Sequence, residues 1–269
     1  MKRKLCLNTI LTNATALIFL ILSFIPQTSS AQVDQKDSLF LVAMYIAYDG
    51  ENWTDNDNWL SGTVDTWYGI TLNADGTRVS KIELPENNIT ASFPRTLDDR
   101  NWIISFFADL IFNDFQKLND LIEIINVIYS LPGISLGELT DINLSRNNIS
   151  GNIPIEINDS KNLKTINLSY NKFSGNIPEQ IGDLGQLESL DLRNNQFSGP
   201  IPDKLFNAKK LQRIYLQNNQ LSGNIPSTID QLTALKRIDL ENNQLSGILP
   251  EQLWNLSQLE QLSLRTNSF

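Results

Sequence analysis

The chain has 269 residues, 41% apolar and 19% charged, a balance that argues against intrinsic disorder. Its formal net charge of −9 argues against a nucleic-acid partner, whose phosphates demand clustered Lys and Arg. The chain contains no histidine and a single cysteine, Cys6, which removes the usual general base and the commonest zinc ligands.

In chain order, residues 1–31 have the makeup of a secretory signal. Lys2, Arg3 and Lys4 give a positive start, and an apolar run extends from Ala14 to Ile25. Ser29 and Ala31 are small residues where a signal peptidase reads them, which predicts cleavage after Ala31 and a secreted or cell-surface protein. The apolar run is shorter than the roughly 20 residues that span a bilayer, which argues against an uncleaved anchor and leaves no membrane span in the mature chain. Losing three cations takes the net charge from −9 to −12. Cys6 leaves with the signal, so the mature chain is expected to have no disulfide and to rest on packing alone.

Residues 32–78 read as an amino-terminal cap. Leu39, Val42, Ala43, Ile46 and Ala47 recur at helical spacing over 37–50, and Gly50 supplies the stop. Trp53, Trp59, Trp67 and Tyr68 follow as a plug against the next segment, with stacking on a sugar as the alternative use of such rings. The DNDN run at 55–58 places oxygen ligands at alternate positions but lacks the Gly and distal Glu of an EF-hand, so it reads as a solvated loop. Asn73–Gly76 is a turn between two strands.

Val79, Ile82, Leu84, Asn87 and Ile89 then open a first repeat, placed at 79–97. The pattern fails over 98–138, where Phe107, Leu110, Ile111, Phe115, Leu118, Ile122 and Ile125 follow helical spacing instead. This block reads as a helical insertion or a degenerate repeat. Its apolar face either packs on the core or docks a partner.

From Leu139 the repetition is unbroken. Leu139, Leu163, Leu187, Leu211, Leu235 and Leu259 are spaced by 24 residues, giving five complete units and a shortened sixth over 139–269. Each unit follows LxxLxLxxNxLSGxIP. The LxxLxL part alternates as a strand with one buried face does, and stacked units share the core that one unit cannot close alone. In the third unit the predicted core positions are Leu187, Leu190, Leu192, Phe197, Ile201, Leu205 and Ala208, while Ser189, Asp191 and Arg193 point outward. The Asn that ends each strand (147, 171, 195, 219, 243, 267) can satisfy backbone groups at a buried bend. The Gly and Pro columns suit positive φ and a fixed φ respectively.

The LSGxIP element resembles the plant-type leucine-rich repeat of receptor-kinase ectodomains, of polygalacturonase inhibitors and of secreted bacterial proteins. The resemblance implies an α/β solenoid: a right-handed leucine-rich-repeat superhelix with a concave parallel β-sheet, an irregular or 3₁₀ convex side and a helical amino-terminal cap. Trp67, Tyr68, Gly69 and Ile70 match the W-x-G-V motif of plant caps, but the paired cysteines flanking it there are missing. The departure is similar to the cysteine-free caps of secreted bacterial repeat proteins.

No GxSxG, phosphate loop or comparable motif appears, and the recurring acids keep the register of the repeat, so the chain is read as a binding module without enzymatic activity and without a cofactor or metal. Three columns face out from the strands: Lys81, Asp141, Thr165, Ser189, Arg213, Arg237, Gln261; then Glu83, Asn143, Asn167, Asp191, Tyr215, Asp239, Ser263; then Pro85, Ser145, Ser169, Arg193, Gln217, Glu241, Arg265. Tyr and Arg are favoured at binding hot spots. The candidate site on the concave face is therefore Tyr170, Asp191, Arg193, Arg213, Tyr215, Arg237, Asp239 and Glu241, for a protein, peptide or glycan ligand. Alternatives are an inhibitor of a polysaccharide-degrading enzyme, a fragment of a longer receptor ectodomain and, less favoured by the varied charge, an ice- or mineral-binding array. The sequence stops at Phe269 inside a repeat, so a fragment, or self-association through an uncapped end, is expected.

Overall fold

A computed structural model describes residues 33, 37, 38, 41, 44, 45, 50–59, 63–89, 138–153 and 155–269. The expected signal and the block at 98–137 lie outside the described residues, as does most of the helix expected over 37–50. Asp37, Ser38, Leu41, Met44 and Tyr45 have α-helical backbone.

The apolar alternation of LxxLxL becomes an eight-stranded sheet. It starts with β1 (Ile70–Leu72) antiparallel to β2 (Val79–Glu83), joined through the Asn73–Gly76 turn, where Asn73 Oδ1 accepts from the backbone N–H groups of Thr77 and Arg78 at 3.0 Å each. Parallel strands follow, one per unit: β3 (Asp141–Asn143), β5 (Thr165–Asn167), β7 (Ser189–Asp191), β9 (Arg213–Tyr215), β11 (Arg237–Asp239) and β13 (Gln261–Ser263). β2 pairs directly with β3, Lys81 opposite Asp141 and Glu83 opposite Asn143, so the sheet passes over the extra residues between Val79 and Leu139 without an intervening rung.

All seven core positions of the third unit are buried, from Leu187 to Ala208. The same stripe continues through the other units as one core, each large side chain contributing roughly 1.5–3 kcal/mol before entropy. Phe173 and Phe197 stack across two coils at 6.1 Å. The return segments are short 3₁₀ turns on the convex side, Ile155–Asp159, Glu179–Asp183, Asp203–Asn207, Ser227–Gln231 and Glu251–Asn255, and the last four begin directly after a Pro with extended backbone.

Between strand and 3₁₀ turn the structure adds an element that the sequence pattern did not announce. The residues around SG pair as a second, five-stranded parallel sheet: β4 (Ser150–Gly151), β6 (Lys172–Gly175), β8 (Gln196–Pro200), β10 (Gln220–Gly223) and β12 (Gln244–Leu245). These strands are too poor in apolar alternation to register as strands by periodicity. Gly199 shows why Gly holds its column: its φ is +73°, and a Cβ there would lie 2.4 Å from Asn176 Oδ1 of the preceding coil.

The Asn column links neighbouring coils as well as closing its own bend. Asn195 Nδ2 donates to the carbonyl oxygens of Leu168 (3.0 Å), Leu192 (3.1 Å) and Arg193 (3.3 Å), and its Oδ1 accepts from the Phe173 N–H at 3.0 Å. Asn171, Asn219, Asn243 and Asn267 repeat the arrangement.

The cap is held by contacts that occur once. Asp37, fully buried, accepts from Arg78 Nε and Nη2 at 3.0 Å each and from the Val79 N–H at 2.7 Å. Asn87 accepts from the Asp55 N–H at 2.6 Å and donates to the Asp55 carbonyl at 2.9 Å. Tyr45, Trp53, Trp59 and Trp67 form a chain of ring contacts with centroids 5.1–5.4 Å apart, and all four are buried. The three tryptophans are therefore packing, with no open face for a sugar. Tyr68 departs from the expected plug: it lies at the surface, because the chain turns there through Gly69, whose φ is +74° and whose absent Cβ would meet Glu83 O at 2.3 Å.

Candidate ligand face

The three outward columns align in the order the sequence gives. Arg213 sits opposite Arg237 and Ser189, while Tyr215 sits opposite Asp191 on one side and Asp239 on the other. Facing outward does not mean exposure here. Ser189 and Asp191, expected to point into solvent, are only 8% and 7% accessible. Sheet neighbours lie about 4.8 Å apart. A short side chain flanked by Tyr215 and roofed by the Arg193 guanidinium is therefore shielded from water.

Four of the expected residues touch as one chain. Arg193 Nη2 pairs with Asp191 Oδ2 at 3.1 Å. The same guanidinium carbon lies 5.3 Å from the Tyr215 ring centroid and 5.7 Å from that of Tyr170, within cation–π range. Of the other four, Arg213 shares the rung of Tyr215, and Arg237, Asp239 and Glu241 occupy the next. Among the described residues Arg213, Asp239 and Glu241 have no oppositely charged group within 4.0 Å, and Arg237 reaches only Glu260, at 3.9 Å.

The Asp191 carboxyl is pushed above the ordinary carboxylate range. Burial dominates, opposed by the Arg193 charge and by the Arg193 N–H, which donates to Asp191 Oδ1 at 3.3 Å. The same local bond fixes other members of this column. Asn143, Asn167 and Asp239 each accept through Oδ1 from the N–H two residues on, at 3.1 Å, leaving the second polar atom of each directed away from that turn.

Arg146 was missed in the sequence. Its guanidinium carbon lies 4.6 Å from the Tyr170 centroid, so Tyr170 has an arginine from each neighbouring side, and Arg146 Nε also faces Glu86 at 3.4 Å. A signal for it existed one residue before the buried Asn column. Glu86, Arg146, Tyr170, Asn194, Asn218, Asn242 and Thr266 all have φ between 53° and 58° or very near it, the left-handed region. Asn suits that region, and Asn218 and Asn242 donate to Asn194 and Asn218 respectively at 3.0 and 2.9 Å. Arg146 and Tyr170 suit it less well, as do Glu86 and Thr266 at the two ends of the column. Side chains held in a costly backbone conformation concentrate at functional sites.

Among the described residues no group of three or more acidic, His or Cys side chains is placed to hold a metal ion, and no helix is long and apolar enough to cross a membrane.

A strand, a polar bend, a short second strand and a 3₁₀ return, repeated around one core, define a leucine-rich-repeat solenoid. The family profile described as leucine rich repeat matches residues 137–197 and 201–269. These residues are leucine-rich repeats of the plant type. The chain is similar to the crystal structure of PEPR1–AtPEP1, with 26% identity and a TM-score of 0.63 over 84% of this chain and 28% of that one. It is also similar to the crystal structure of a pollen receptor kinase 3, with 27% identity and a TM-score of 0.60 over 84% of this chain and 92% of that one. The leucine-rich-repeat ectodomain of the plant membrane receptor kinase GASSHO1/SCHENGEN3 from Arabidopsis thaliana shares the fold, at 23% identity and a TM-score of 0.53 over 84% of this chain and 30% of that one. The chain thus spans under a third of the PEPR1 and GASSHO1/SCHENGEN3 chains. A search of curated proteins finds no match.

Proposed function

We propose that the protein is an extracellular recognition module that binds a peptide or an extended protein segment on its concave face, through Tyr170, Asp191, Arg193, Arg213, Tyr215, Arg237, Asp239 and Glu241 together with Arg146. The observation that carries the reading is the continuous run of cation–π contacts Arg146–Tyr170–Arg193–Tyr215 across four coils. The likeness to receptor ectodomains supports it, as does the secretory makeup of residues 1–31. In the same reading residues 1–31 are a cleaved signal, 32–78 the cap, 79–97 the first repeat, 98–138 an insertion and 139–269 the ligand-bearing coils. The chemistry of the face favours binding over catalysis: its acids and bases are spread one per rung in repeat register rather than converging on a single point.

The test is selection of ligands from displayed peptide libraries and from a glycan array on the full chain, followed by affinity measurement with Tyr170→Ala, Arg193→Ala and Tyr215→Ala. Hot-spot truncation costs about 2 kcal/mol or more, so each variant is expected to weaken the selected ligand by at least about tenfold, the two Tyr variants keeping the same melting profile and Arg193→Ala melting lower because it leaves buried Asp191 unpaired. Unchanged affinity in all three would move the site to the convex side or the cap. Selection of glycans alone would replace the peptide reading.

A further inference from the structure

Coils four and five carry charges that the fold itself does not use. Arg213 and Arg237 stand opposite each other in register on β9 and β11, an arrangement that repels. Arg213 has no carboxylate within 4.0 Å among the described residues, and Arg237 has only the distant Glu260. Two residues further along the same strands, Tyr215 and Asp239 are again in register, and Glu241 follows at the strand's end. Asp239 and Glu241 likewise lack a cation within 4.0 Å, although Asp239 is held in place by the Glu241 N–H at 3.1 Å. On these two coils the guanidinium groups share one column and the carboxylates the next two, with Tyr215 beside Asp239 in the first acidic column, while Arg193 and Arg265 stand in the Glu241 column on coils three and six.

The division has a length. Residues i and i+2 on one face of a strand are about 6.5 Å apart, which is also the spacing of alternate side chains in an extended peptide. Unpaired like charges on a sheet lower stability, so a protein that keeps them on its ligand face has a use for them in the bound state.

Resting on the reading above, we propose that coils four and five select an extended segment with an acidic and a basic side chain two residues apart. The carboxylate lies over Arg213 and Arg237, the cation lies beside Asp239 and Glu241, and Tyr215, next to Asp239, packs against the stem of the cationic side chain. This order of charges sets both the register and the direction of the bound segment. The reversed orientation would put each charge over its like, a mismatch that complementary interfaces exclude. Asp191, buried beside Tyr215 and already paired with Arg193, closes the acidic side toward coil three.

The test uses the full chain and terminally blocked peptides of tandem Gly-Asp-Ser-Lys units, compared with peptides in which only the acids, only the bases or neither are kept (Asn and Gln as replacements). The mixed peptide is expected to bind about tenfold more tightly than either singly charged one, with the advantage shrinking as salt is raised. Arg213→Gln with Arg237→Gln should abolish its advantage over the basic peptide. Asp239→Asn with Glu241→Gln should abolish its advantage over the acidic one. Arg213→Gln alone should keep or raise the melting temperature, since it relieves the in-register repulsion. An acidic peptide that binds as well as the mixed one would reduce the site to a plain anion site and overturn the proposal. So would equal binding of all four peptides, or a mixed preference that survives the double arginine variant. If ligands selected from libraries depend on Tyr215 but not on Arg213, Arg237, Asp239 or Glu241, the concave-face reading stands and this one fails. If they depend neither on these four charges nor on Tyr170, Arg193 and Tyr215, both fail.

Discussion

The junction between cap and first repeat and the run of regular coils are built on opposite plans. At the junction each contact occurs once: Asp37 with Arg78, Asn87 with Asp55, Trp59 against Trp67. In the coils one contact is copied, so that Asn171, Asn195, Asn219 and Asn243 make the same bonds at nearly the same distances. A solenoid interface can be distributed because each coil meets an equal. The first coil meets a different structure, and there a few strong interactions must fix the register. The single junction is therefore the more brittle of the two.

The largest expected effect tests that brittleness. Asp37→Ala leaves Arg78 without its bidentate partner and orphans the Val79 N–H. Breaking a buried pair on one side costs about 3 kcal/mol or more, which denaturant unfolding would register. A loss below about 1 kcal/mol would show that the cap is held by its aromatic cluster alone. In the coils, Asn195→Ala removes donors to three carbonyl groups and an acceptor from Phe173, and is expected to cost about 2–3 kcal/mol. Asn194→Ala, one residue earlier, loses a single exposed-side bond and an αL preference, so its cost should stay near 1 kcal/mol. Equal costs at the two positions would refute the distinction between the buried and the surface Asn columns.

Smaller effects sharpen the contrast between a face kept for stability and one kept for ligands. Tyr170→Asn trades a bulky residue at φ +56° for one that tolerates it, at the loss of contacts with two arginines. These changes nearly cancel, and stability is expected to move by less than about 1 kcal/mol in either direction while ligand binding weakens. A large destabilisation would mean that Tyr170 is a structural residue. The smallest effect is at Asp191, whose folded-state pKa lies above its unfolded value. Such a group favours folding below the unfolded pKa and loses that contribution as pH rises through the folded one. Asp191→Asn should accordingly gain melting temperature relative to the parent on going from acid to neutral pH. The opposite trend would show the Arg193 pairing outweighing burial.

Much of this was legible in the sequence because a repeat states its core many times over. The inward positions of the third unit, the Asn bends and the alignment of the outward columns all follow from one period, and each is found where that period puts it, while the NADG turn follows from its own turn residues. The second sheet was not legible, since its strands lack the apolar alternation that marks the three-residue strands of the concave sheet. Nor was the burial of Ser189 and Asp191, which depends on the height of neighbouring side chains rather than on direction. Arg146 lies in a column that Asn fills on only three coils, and its meeting with Tyr170 depends on the reach of two long side chains across neighbouring coils, which the column alone does not show.

By itself the sequence determined the coil: which residues turn inward, where each strand ends and which side chains share a column, because local alternation and a fixed period leave one way to close a common core. Only the tertiary structure decided which outward residues meet. The pairing of Arg193 with Tyr170 and Tyr215, the separation of Arg213 and Arg237 from Asp239 and Glu241, and the hold of Asp37 on Arg78 join positions two to forty-one residues apart. Those meetings are set by the stacking of coils and the reach of particular side chains, which no period encodes.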